Sequence, residues 1–292
     1  MSPFPSILVK LIIQKVSRYL KSSVSAKAAM KFSIVTPSYN QGQYIAQTLD
    51  SVLEQQPSCE IEHLVMDGGS TDNTLEVLTN YERQYPTLSW ISESDKGQSD
   101  AINKGLNRAK GDIVAYLNSD DYYLPGTLAK VKSIFETNPK VDFVYGDIYM
   151  VNESGEIIRR VKSLKTSLWR HLYSFPFPQQ SCFWRRHLIE RIPIFNTQNK
   201  TCMDGEYFAH ILSHPVTLYR LSDPLACFRL HQASISGSGR WSSLYQTDKL
   251  RIENDLMPHR KLPRKFHLLT GRLAKQLFVT LRPQAEMFSL SK

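Results

Sequence analysis

Two adjacent carboxylates, Asp120 and Asp121, are the side chains in this sequence best suited to hold a metal ion. They follow an apolar run at 113–117 whose composition is that of a strand buried on both faces. Neighbouring carboxylates repel each other, so a bound cation, helix-terminal amides or solvation must offset that cost. Ligands of open α/β sheets bind just beyond the carboxyl ends of strands, which is where this pair falls. The turn at 118–121 is therefore a candidate metal site, and a solvated turn is the alternative.

Three more polar turns follow apolar runs in the same way, at 36–40, 67–70 and 94–98. If the runs are parallel strands, the four turns meet at one edge of the sheet and line a crevice with hydroxyls, amides and carboxylates. Such a crevice suits a nucleotide, because carboxylates accept hydrogen bonds from base and ribose while a divalent cation bridges the phosphates. The sequence has no Gly-x-Gly-x-x-Gly after its first strand and no Gly-Lys-Ser/Thr, which argues against dinucleotide binding and an ordinary ATPase.

Short apolar strands alternate with helical stretches from residue 32 to residue 145, and these elements must position the four turns. We predict strands at 32–36, 61–66, 88–91, 113–117 and 141–145, and helices at 43–54, from Thr71 or Asp72 to 85, at 99–109 and at 128–135. This regular alternation predicts a mostly parallel sheet with helices on both faces.

The pattern changes after residue 146. We predict a hairpin over 147–161, a helix at 207–212 behind Asp204, and a last strand at 225–230. The stretch 168–178 is rich in aromatic residues, and three interpretations of it stay open: core packing, a lid, or a surface that meets an apolar ligand.

The formal charge of +9 belongs to the two ends of the chain. Residues 1–30 hold five basic side chains and no acidic one, residues 257–292 hold eight basic and one acidic, and 31–256 hold 23 basic and 26 acidic. A nucleic-acid enzyme carries its basic charge across the working surface, so no nucleic-acid partner is expected. Both ends mix basic and apolar residues, which fits helices lying on an anionic membrane surface or helices packed on the domain.

The four cysteines show no paired metal-ligand spacing, which favours reduced thiols in a cytosolic compartment. The apolar run near the start of the chain falls well short of the ~20 residues that a membrane-spanning helix needs.

Six motifs, in order along residues 31–236, resemble those of family 2 glycosyltransferases with the GT-A fold, and most of all bacterial transferases that build O-antigen or exopolysaccharide units. They are Val-Thr-Pro-Ser-Tyr-Asn (35–40), Asp-Gly-Gly-Ser-Thr-Asp-Asn-Thr (67–74), Ser-Asp-Lys-Gly-Gln-Ser-Asp-Ala-Ile-Asn-Lys-Gly (94–105), Leu-Asn-Ser-Asp-Asp (117–121), Met-Asp (203–204) and Phe-Arg-Leu-His (228–231). The resemblance implies an α/β GT-A fold with a mostly parallel nucleotide-binding sheet, helices on both faces and a smaller acceptor-binding part.

The resemblance implies a GT-A domain at 31–236. The mixture of basic and apolar residues at the two ends predicts a basic amphipathic segment at 1–30 and a basic helical tail at 237–292. Within the domain, 31–121 would be the nucleotide-sugar half and 122–236 the acceptor half.

The resemblance also implies a role for individual residues. Asp121 would bind Mg²⁺ or Mn²⁺ between the two phosphates, and His231 would be a further metal contact. Asp204 would be the general base, although Glu206 in the same segment stays open as an alternative. The remaining residues would bind the nucleotide sugar: Thr36, Tyr39, Asp67, Asp95, Lys96, Asn103 and Asp120.

The expected reaction is transfer of a sugar, with inversion, from a nucleotide sugar (a UDP-sugar above all) to a hydroxyl of a glycan or lipid-linked acceptor in cell-surface polysaccharide synthesis. Displacing a nucleoside diphosphate needs charge stabilisation on the phosphates, which a metal supplies, and a base for the acceptor hydroxyl. The expected location is cytoplasmic, or peripheral on the inner face of the plasma membrane. A non-catalytic nucleotide-sugar or glycan-binding protein and a nucleotidyltransferase are the alternatives.

Overall fold

A nine-stranded sheet forms the centre of the fold. This computed structural model describes residues 30–174, 177–232, 234 and 242–256. The strands are β1 (Lys31–Ser38), β2 (Glu60–Asp67), β3 (Leu88–Ser92), β4 (Ile113–Tyr116), β5 (Tyr122–Tyr123), β6 (Phe143–Val151), β7 (Ile157–Val161), β8 (Phe183–Arg185) and β9 (Leu218–Arg229). The helices are α1 (Ile45–Leu53), α2 (Thr74–Glu82), α3 (Gln98–Arg108), α4 (Thr127–Thr137), α5 (Leu168–Ser174), α6 (Met203–Leu212) and α7 (Ser242–Leu256).

The first four strands form the parallel part of the sheet, in the order β3-β2-β1-β4. β1 pairs in parallel with β2 and with β4, and β2 pairs in parallel with β3. Their side chains are buried on both faces, as Phe32, Ile34 and Val35 in β1 illustrate, which explains why each strand has an apolar run. The predicted strands and helices of this region are confirmed, and the carboxyl ends of all four strands lie at one edge.

The second part of the sheet, β8-β6-β9-β5, mixes strand directions. β8 is antiparallel to both β4 and β6, β6 is parallel to β9, and β5 is antiparallel to β9. The predicted hairpin is confirmed as the antiparallel pair β6 and β7. β8 was not predicted, because three residues are too few to show a period.

The last strand is longer than predicted. β9 begins at Leu218 rather than at residue 225, and it contains Pro224. A proline cannot donate to a neighbouring strand, and the register between β6 and β9 shifts on either side of the Asp147–Pro224 pair. The proline and its polar neighbours hid the first half of this strand from the sequence pattern.

Helices cover both faces of the sheet, as predicted. On one face α1 and α2 pack on β2 and β3 through a cluster of Ile45, Leu49, Leu53, Val65, Leu78 and Leu88. On the other, α3 and α6 share a larger cluster that includes Ile102, Leu106, Tyr116, Trp184, Phe195 and Phe208. Phe177, from the aromatic stretch, is buried in this second cluster, so core packing is its role, whereas Trp169 is exposed.

The beginning of the predicted tail packs on the domain. Ile252 of α7 is buried against Leu172, Cys202 and Ala209, which belong to α5, the start of α6 and α6 itself. Residues 1–29 and 257–292, for which basic amphipathic segments were predicted, lie outside the described residues. Among the helices that the structure describes, none has the length and apolar content needed to cross a membrane. All four cysteines are buried and free.

Candidate active site

The turn after β4 buries one of its two carboxylates completely. Asp121 has no exposed surface, and its Oδ1 accepts the main-chain N–H of Arg229 at 2.9 Å. Its Oδ2 accepts Gln180 Nε2 at 3.0 Å and Asn118 Nδ2 at 3.3 Å. Burial and then the charge of Asp120 hold the pKa of Asp121 well above its usual range. Protein donors thus occupy both oxygens of Asp121.

The other carboxylate, Asp120, faces a histidine. Its Oδ2 lies 3.0 Å from Nε2 of His231, the second residue after β9. The imidazole ring of His231 packs on Tyr44 with 4.8 Å between ring centroids. Among the described residues no hydrogen bond reaches Oδ1 of Asp120. The sequence analysis expected Asp121 and His231 to be the metal residues. In the structure the imidazole of His231 contacts Asp120, whereas the carboxylate of Asp121 faces Arg229 and Gln180.

Arg229 is a residue of this site to which the sequence analysis gave no role. Its guanidinium donates to the main-chain oxygens of Asp120 at 3.0 Å and Glu153 at 2.7 Å. It lies over the rings of Tyr44 and Tyr122, at 5.1 and 5.5 Å from their centroids. Its place within the motif at 228–231, two residues before His231, was the only available signal.

The predicted base lies at the start of α6. Asp204 is partly exposed, and its Oδ1 accepts the main-chain N–H of Gly205 at 2.8 Å. Burial raises the pKa of Asp204 above its ordinary value, and main-chain hydrogen bonds only partly oppose this. One carboxylate oxygen therefore has a protein donor, and none of the described residues donates to the other.

Both carboxylate oxygens of Glu206, the alternative base, accept hydrogen bonds from neighbouring side chains. Arg251 donates to its two oxygens at 3.0 and 2.9 Å, and Asn199 and Asn196 add hydrogen bonds of 2.6 and 3.1 Å. Burial alone would raise the pKa of Glu206, but the hydrogen bonds from Arg251 and the two asparagines lower it below the ordinary value. These contacts leave Glu206 no free oxygen to accept a proton from a substrate.

The amino end of α3 lies between the acidic turn and the start of α6. Gln98 Nε2 donates to Oδ1 of Asn118 at 2.6 Å, and Ser99 Oγ donates to Sδ of Met203, the neighbour of Asp204, at 2.9 Å. The pKa of Tyr116, at the end of β4, is raised by burial and then by the charge of Asp204, with smaller contributions from Cys182 and Asp121. Asp204 and the acidic turn thus share one edge of the sheet.

Two predicted donor-binding residues have their side chains buried within the protein. Thr36 Oγ1 lies 2.9 Å from Nε2 of buried His63, whose pKa is lowered by burial to about 3, so the imidazole is neutral. Asp67 accepts the main-chain N–H groups of Gly69 at 3.0 Å and Ser70 at 2.8 Å, and the hydroxyls of Ser70 and Ser92. In this arrangement Asp67 shapes the turn that follows β2.

The other predicted donor-binding residues differ in exposure. Tyr39 is 60% exposed, Lys96 is exposed and Asp95 is partly exposed, so all three can reach a ligand. A Cβ at Gly68 would lie 2.8 Å from Asp95 Oδ2, so the glycine allows Asp95 to lie against the turn after β2. Asn103 is buried, and its side-chain amide exchanges two 2.8 Å hydrogen bonds with the main chain of Phe195, so its polar atoms are already paired within the protein.

The side chains beside the acidic turn supply two of the ligands that a divalent cation needs. Among the described residues there is no group of three or more His, Cys, Asp or Glu side chains that could hold an ion. Asp120 and His231 offer one carboxylate and one imidazole, and such ions are commonly held by one or two protein ligands with substrate phosphates completing the shell. The buried hydroxyl of Ser38, at the carboxyl end of β1, has no hydrogen-bond partner within the described residues.

The comparisons with known sequences all find glycosyltransferases. The model of glycosyl transferase family 2 matches residues 33–202. A PGL/p-HBAD biosynthesis glycosyltransferase of Mycobacterium tuberculosis is 30% identical over 196 residues, which cover 66% of this chain and 74% of the relative. A glycosyltransferase of Nostoc sp. is 28% identical over 217 residues, covering 70% of this chain and 66% of the relative.

The structural comparisons concern the fold alone, because the identities are low. S. aureus TarS 1-349 in complex with UDP-GlcNAc has a TM-score of 0.65 at 22% identity, covering 82% of this chain and 69% of that one. The mannosyltransferase PcManGT from Pyrobaculum calidifontis, in complex with GDP-Man and Mn²⁺, has a TM-score of 0.60 at 18% identity, covering 94% and 83%.

The mostly parallel sheet, with helices on both faces and an acidic turn after β4, has the GT-A architecture of these structures. The chain belongs to glycosyl transferase family 2 and is a glycosyltransferase. The resemblance and the fold predicted from the sequence are confirmed.

Proposed function

We propose that this chain is a metal-dependent, inverting glycosyltransferase that moves a sugar from a nucleotide sugar to a hydroxyl of a glycan or lipid-linked acceptor. The observation that carries the proposal is that Asp120 and Asp204 lie at one edge of a GT-A sheet, each with a carboxylate oxygen to which no described residue donates. Structures similar to this one are complexes with UDP-GlcNAc, with UDP, or with GDP-Man and Mn²⁺, which supports a nucleotide-sugar donor, and we propose a UDP-sugar first.

In the proposed donor site, Asp120 and His231 hold the cation, which is Mg²⁺ or Mn²⁺. Bound there, the cation would neutralise charge on the leaving diphosphate. Mn²⁺ is the first ion to test, because the similar mannosyltransferase PcManGT is in complex with it. Asp121, the ligand expected from the sequence, instead fixes the turn through its buried hydrogen bonds, so we propose it as a positioning residue.

The nucleotide would lie across the turns after β1, β2 and β3. Exposed Tyr39 can stack on a base, while Asp95 and Lys96 can reach ribose or phosphate oxygens. Thr36 and Asp67 would contribute through the shape of their turns, since their side-chain polar groups are already paired. Asn103 would support the site from behind, by holding the main chain at Phe195.

Asp204 would be the general base. Its raised pKa makes it a better proton acceptor than an ordinary aspartate, and one of its oxygens is left for the acceptor hydroxyl. One base with attack opposite the leaving diphosphate gives inversion at the anomeric carbon. Glu206 is already paired with Arg251, and we therefore propose Asp204 rather than Glu206.

The acceptor and the cellular setting complete the proposal. The segment 122–236 would bind the acceptor, and the named relative acts in PGL/p-HBAD biosynthesis. We propose cell-surface polysaccharide or glycolipid synthesis in the cytoplasm, with peripheral contact to an anionic membrane through residues 1–30 and 257–292. Loss of binding to anionic liposomes when both segments are removed would support that contact, and unchanged binding would contradict it.

The test of the proposed function is a screen of UDP- and GDP-sugars for hydrolysis and thermal stabilisation, each with and without Mn²⁺. We expect one donor to raise the Tm only when Mn²⁺ is present and to be hydrolysed slowly by the wild type. Binding without turnover of any donor or acceptor would favour the non-catalytic alternative. Release of pyrophosphate from a nucleoside triphosphate and a sugar phosphate would favour a nucleotidyltransferase.

A further inference from the structure

Arg229 is a buried charge with an unusual set of partners. The residue is 3% exposed, and among the described residues its guanidinium forms no ion pair. It instead donates to three uncharged oxygens: the main-chain oxygens of Asp120 and Glu153, and Oε1 of Gln47. Burying a cation is costly unless fixed dipoles or charges compensate it. Such an arrangement calls for a role beyond packing.

The three acceptors belong to three different segments around the acidic turn. Asp120 lies in the turn itself, Glu153 at the tip of the β6–β7 hairpin, and Gln47 on α1. The guanidinium lies over Tyr44 and Tyr122, and two aromatic faces add attraction to a cation. Tyr44 also donates its hydroxyl to a side-chain oxygen of Glu153 at 2.9 Å. One side chain therefore ties the turn, the hairpin and α1 together.

Both proposed metal ligands lie close to Arg229 in the fold, one through a hydrogen bond and the other through the chain and a shared tyrosine ring. Arg229 binds the carbonyl oxygen of Asp120, and its own N–H binds the carboxylate of Asp121, so it fixes the turn from two sides. His231 follows two residues later in the chain, and its ring rests on Tyr44, the same ring that Arg229 covers. Moving Arg229 would disturb the direction of both Asp120 and His231.

We propose that Arg229 is a positioning residue of the donor site, which sets Asp120 and His231 for a diphosphate-bound cation before substrate arrives. This inference rests on the proposed function. It assigns the buried arginine to ligand geometry rather than to stability alone. Replacing a group that orients a metal ligand typically lowers metal affinity roughly 10- to 100-fold.

Arg185 provides a matched control within the chain. Its guanidinium also donates to three carbonyl oxygens, those of Val141 at 2.7 Å, Pro139 at 3.1 Å and Phe135 at 3.3 Å. It also lies over a ring, 5.1 Å from the centroid of Phe135. Arg185 pairs with Ile113 at the beginning of β4, the end of that strand away from the acidic turn. The two arginines thus share their hydrogen bonding to carbonyl oxygens and their place over a ring but not their location, and Arg185 is half-buried where Arg229 is buried.

The test compares Arg229→Lys with Arg185→Lys by thermal unfolding and by Mn²⁺ titration, read by electron paramagnetic resonance with and without UDP. Lysine keeps the charge but cannot donate in three fixed directions. We expect both variants to lose Tm, and only Arg229→Lys to weaken Mn²⁺–UDP binding, by about tenfold or more. Equal Mn²⁺ affinity in the two folded variants would overturn the inference.

A second pair of variants decides the question if Arg229→Lys does not fold. Gln47 is exposed, so Gln47→Leu removes one acceptor of Arg229 without opening the core, while Gln47→Glu keeps an acceptor there. We expect Gln47→Leu to weaken Mn²⁺–UDP binding by about threefold, Gln47→Glu to weaken it less because an acceptor for Arg229 remains, and the exposed control Gln84→Leu to leave it unchanged. Identical affinities for Gln47→Leu and Gln47→Glu would overturn the inference. Wild-type protein that binds neither Mn²⁺ nor UDP would instead overturn the proposed function, and this inference with it.

Discussion

The two acidic segments of the site, the turn at 118–121 and the first turn of α6, follow the same plan. Each contains two carboxylates close in sequence. In one of them both oxygens accept hydrogen bonds from the protein, and in the other one oxygen has no donor among the described residues. In the turn the occupied carboxylate is Asp121 and the other is Asp120. In α6 the occupied one is Glu206 and the other is Asp204.

The two occupied carboxylates differ in the groups that compensate their buried negative charge. Asp121 is fully buried and receives neutral donors, so desolvation dominates and its pKa rises. Glu206 has the guanidinium of Arg251 at 2.9 Å, so hydrogen bonds and charge outweigh its burial and its pKa falls. Similar sequence patterns therefore shift the pKa of the occupied carboxylate in opposite directions. The number of hydrogen-bond donors around each oxygen distinguishes a structural carboxylate from one available to a ligand.

The largest effect that this comparison predicts is on turnover. Asp204→Asn removes the proton acceptor, so we expect kcat to fall by about 10²–10⁴ while donor binding and Tm stay near wild type. The matched variant is Glu206→Gln, which changes the occupied carboxylate of the same helix and should retain most activity. Steady-state kinetics with donor titration checks both. A greater loss of kcat in Glu206→Gln would reverse the two roles.

The second prediction separates the carboxylates of the acidic turn. Asp120→Asn should weaken Mn²⁺ binding by about 10- to 100-fold with little change in Tm, because its carboxylate carries no structural hydrogen bonds beyond that of His231. Asp121→Asn should instead destabilise the fold by roughly 1–3 kcal/mol, since an amide placed among three donors leaves buried groups unpaired. Mn²⁺ titration and denaturant unfolding measure the two quantities. The reverse pattern would restore Asp121 as the metal ligand.

How much the sequence could predict depends on the range of the interactions. β1 to β4 and their helices were predicted because local apolar periodicity determines strands that are buried on both faces. β8 and the first half of β9 were missed, since three residues and a proline-containing stretch carry little periodicity. The acidic turn was found from its place after a buried strand, and Asp204 from the motifs, but which of two adjacent carboxylates faces His231 depends on side-chain direction. Arg229 was overlooked because its partners come from segments far away in the chain.

The third prediction concerns pH. The pKa of Asp204 is raised by burial, and a base must be deprotonated to act, so the acidic limb of kcat/KM should lie above the usual aspartate pKa of about 3.9. Below that limb the rate should fall about tenfold per pH unit. Mn²⁺–UDP binding measured at each pH separates the base from the metal ligands. A kcat/KM that stays constant down to pH 4 would contradict the assignment.

The smallest predicted effect is that of Glu206→Gln on the free energy of unfolding. Because its folded-state pKa is lowered, Glu206 stabilises the fold above its unfolded pKa of about 4.3, and this is lost as pH falls through the folded pKa. Glu206→Gln should therefore lower the free energy of unfolding at pH 7 by about 1 kcal/mol, discounted because Arg251 is 38% exposed. The difference from wild type should shrink below pH 4.

The control for this last variant is Glu190→Gln, which removes an exposed pair with Arg186 at 3.6 Å and should leave unfolding unchanged at both pH values. Denaturant unfolding at pH 7 and pH 3 measures all three proteins. A Glu206→Gln deficit that persists at pH 3 would mean that shape rather than charge holds this carboxylate. The contrast with Asp121, whose contribution does not depend on a charged partner, would then disappear.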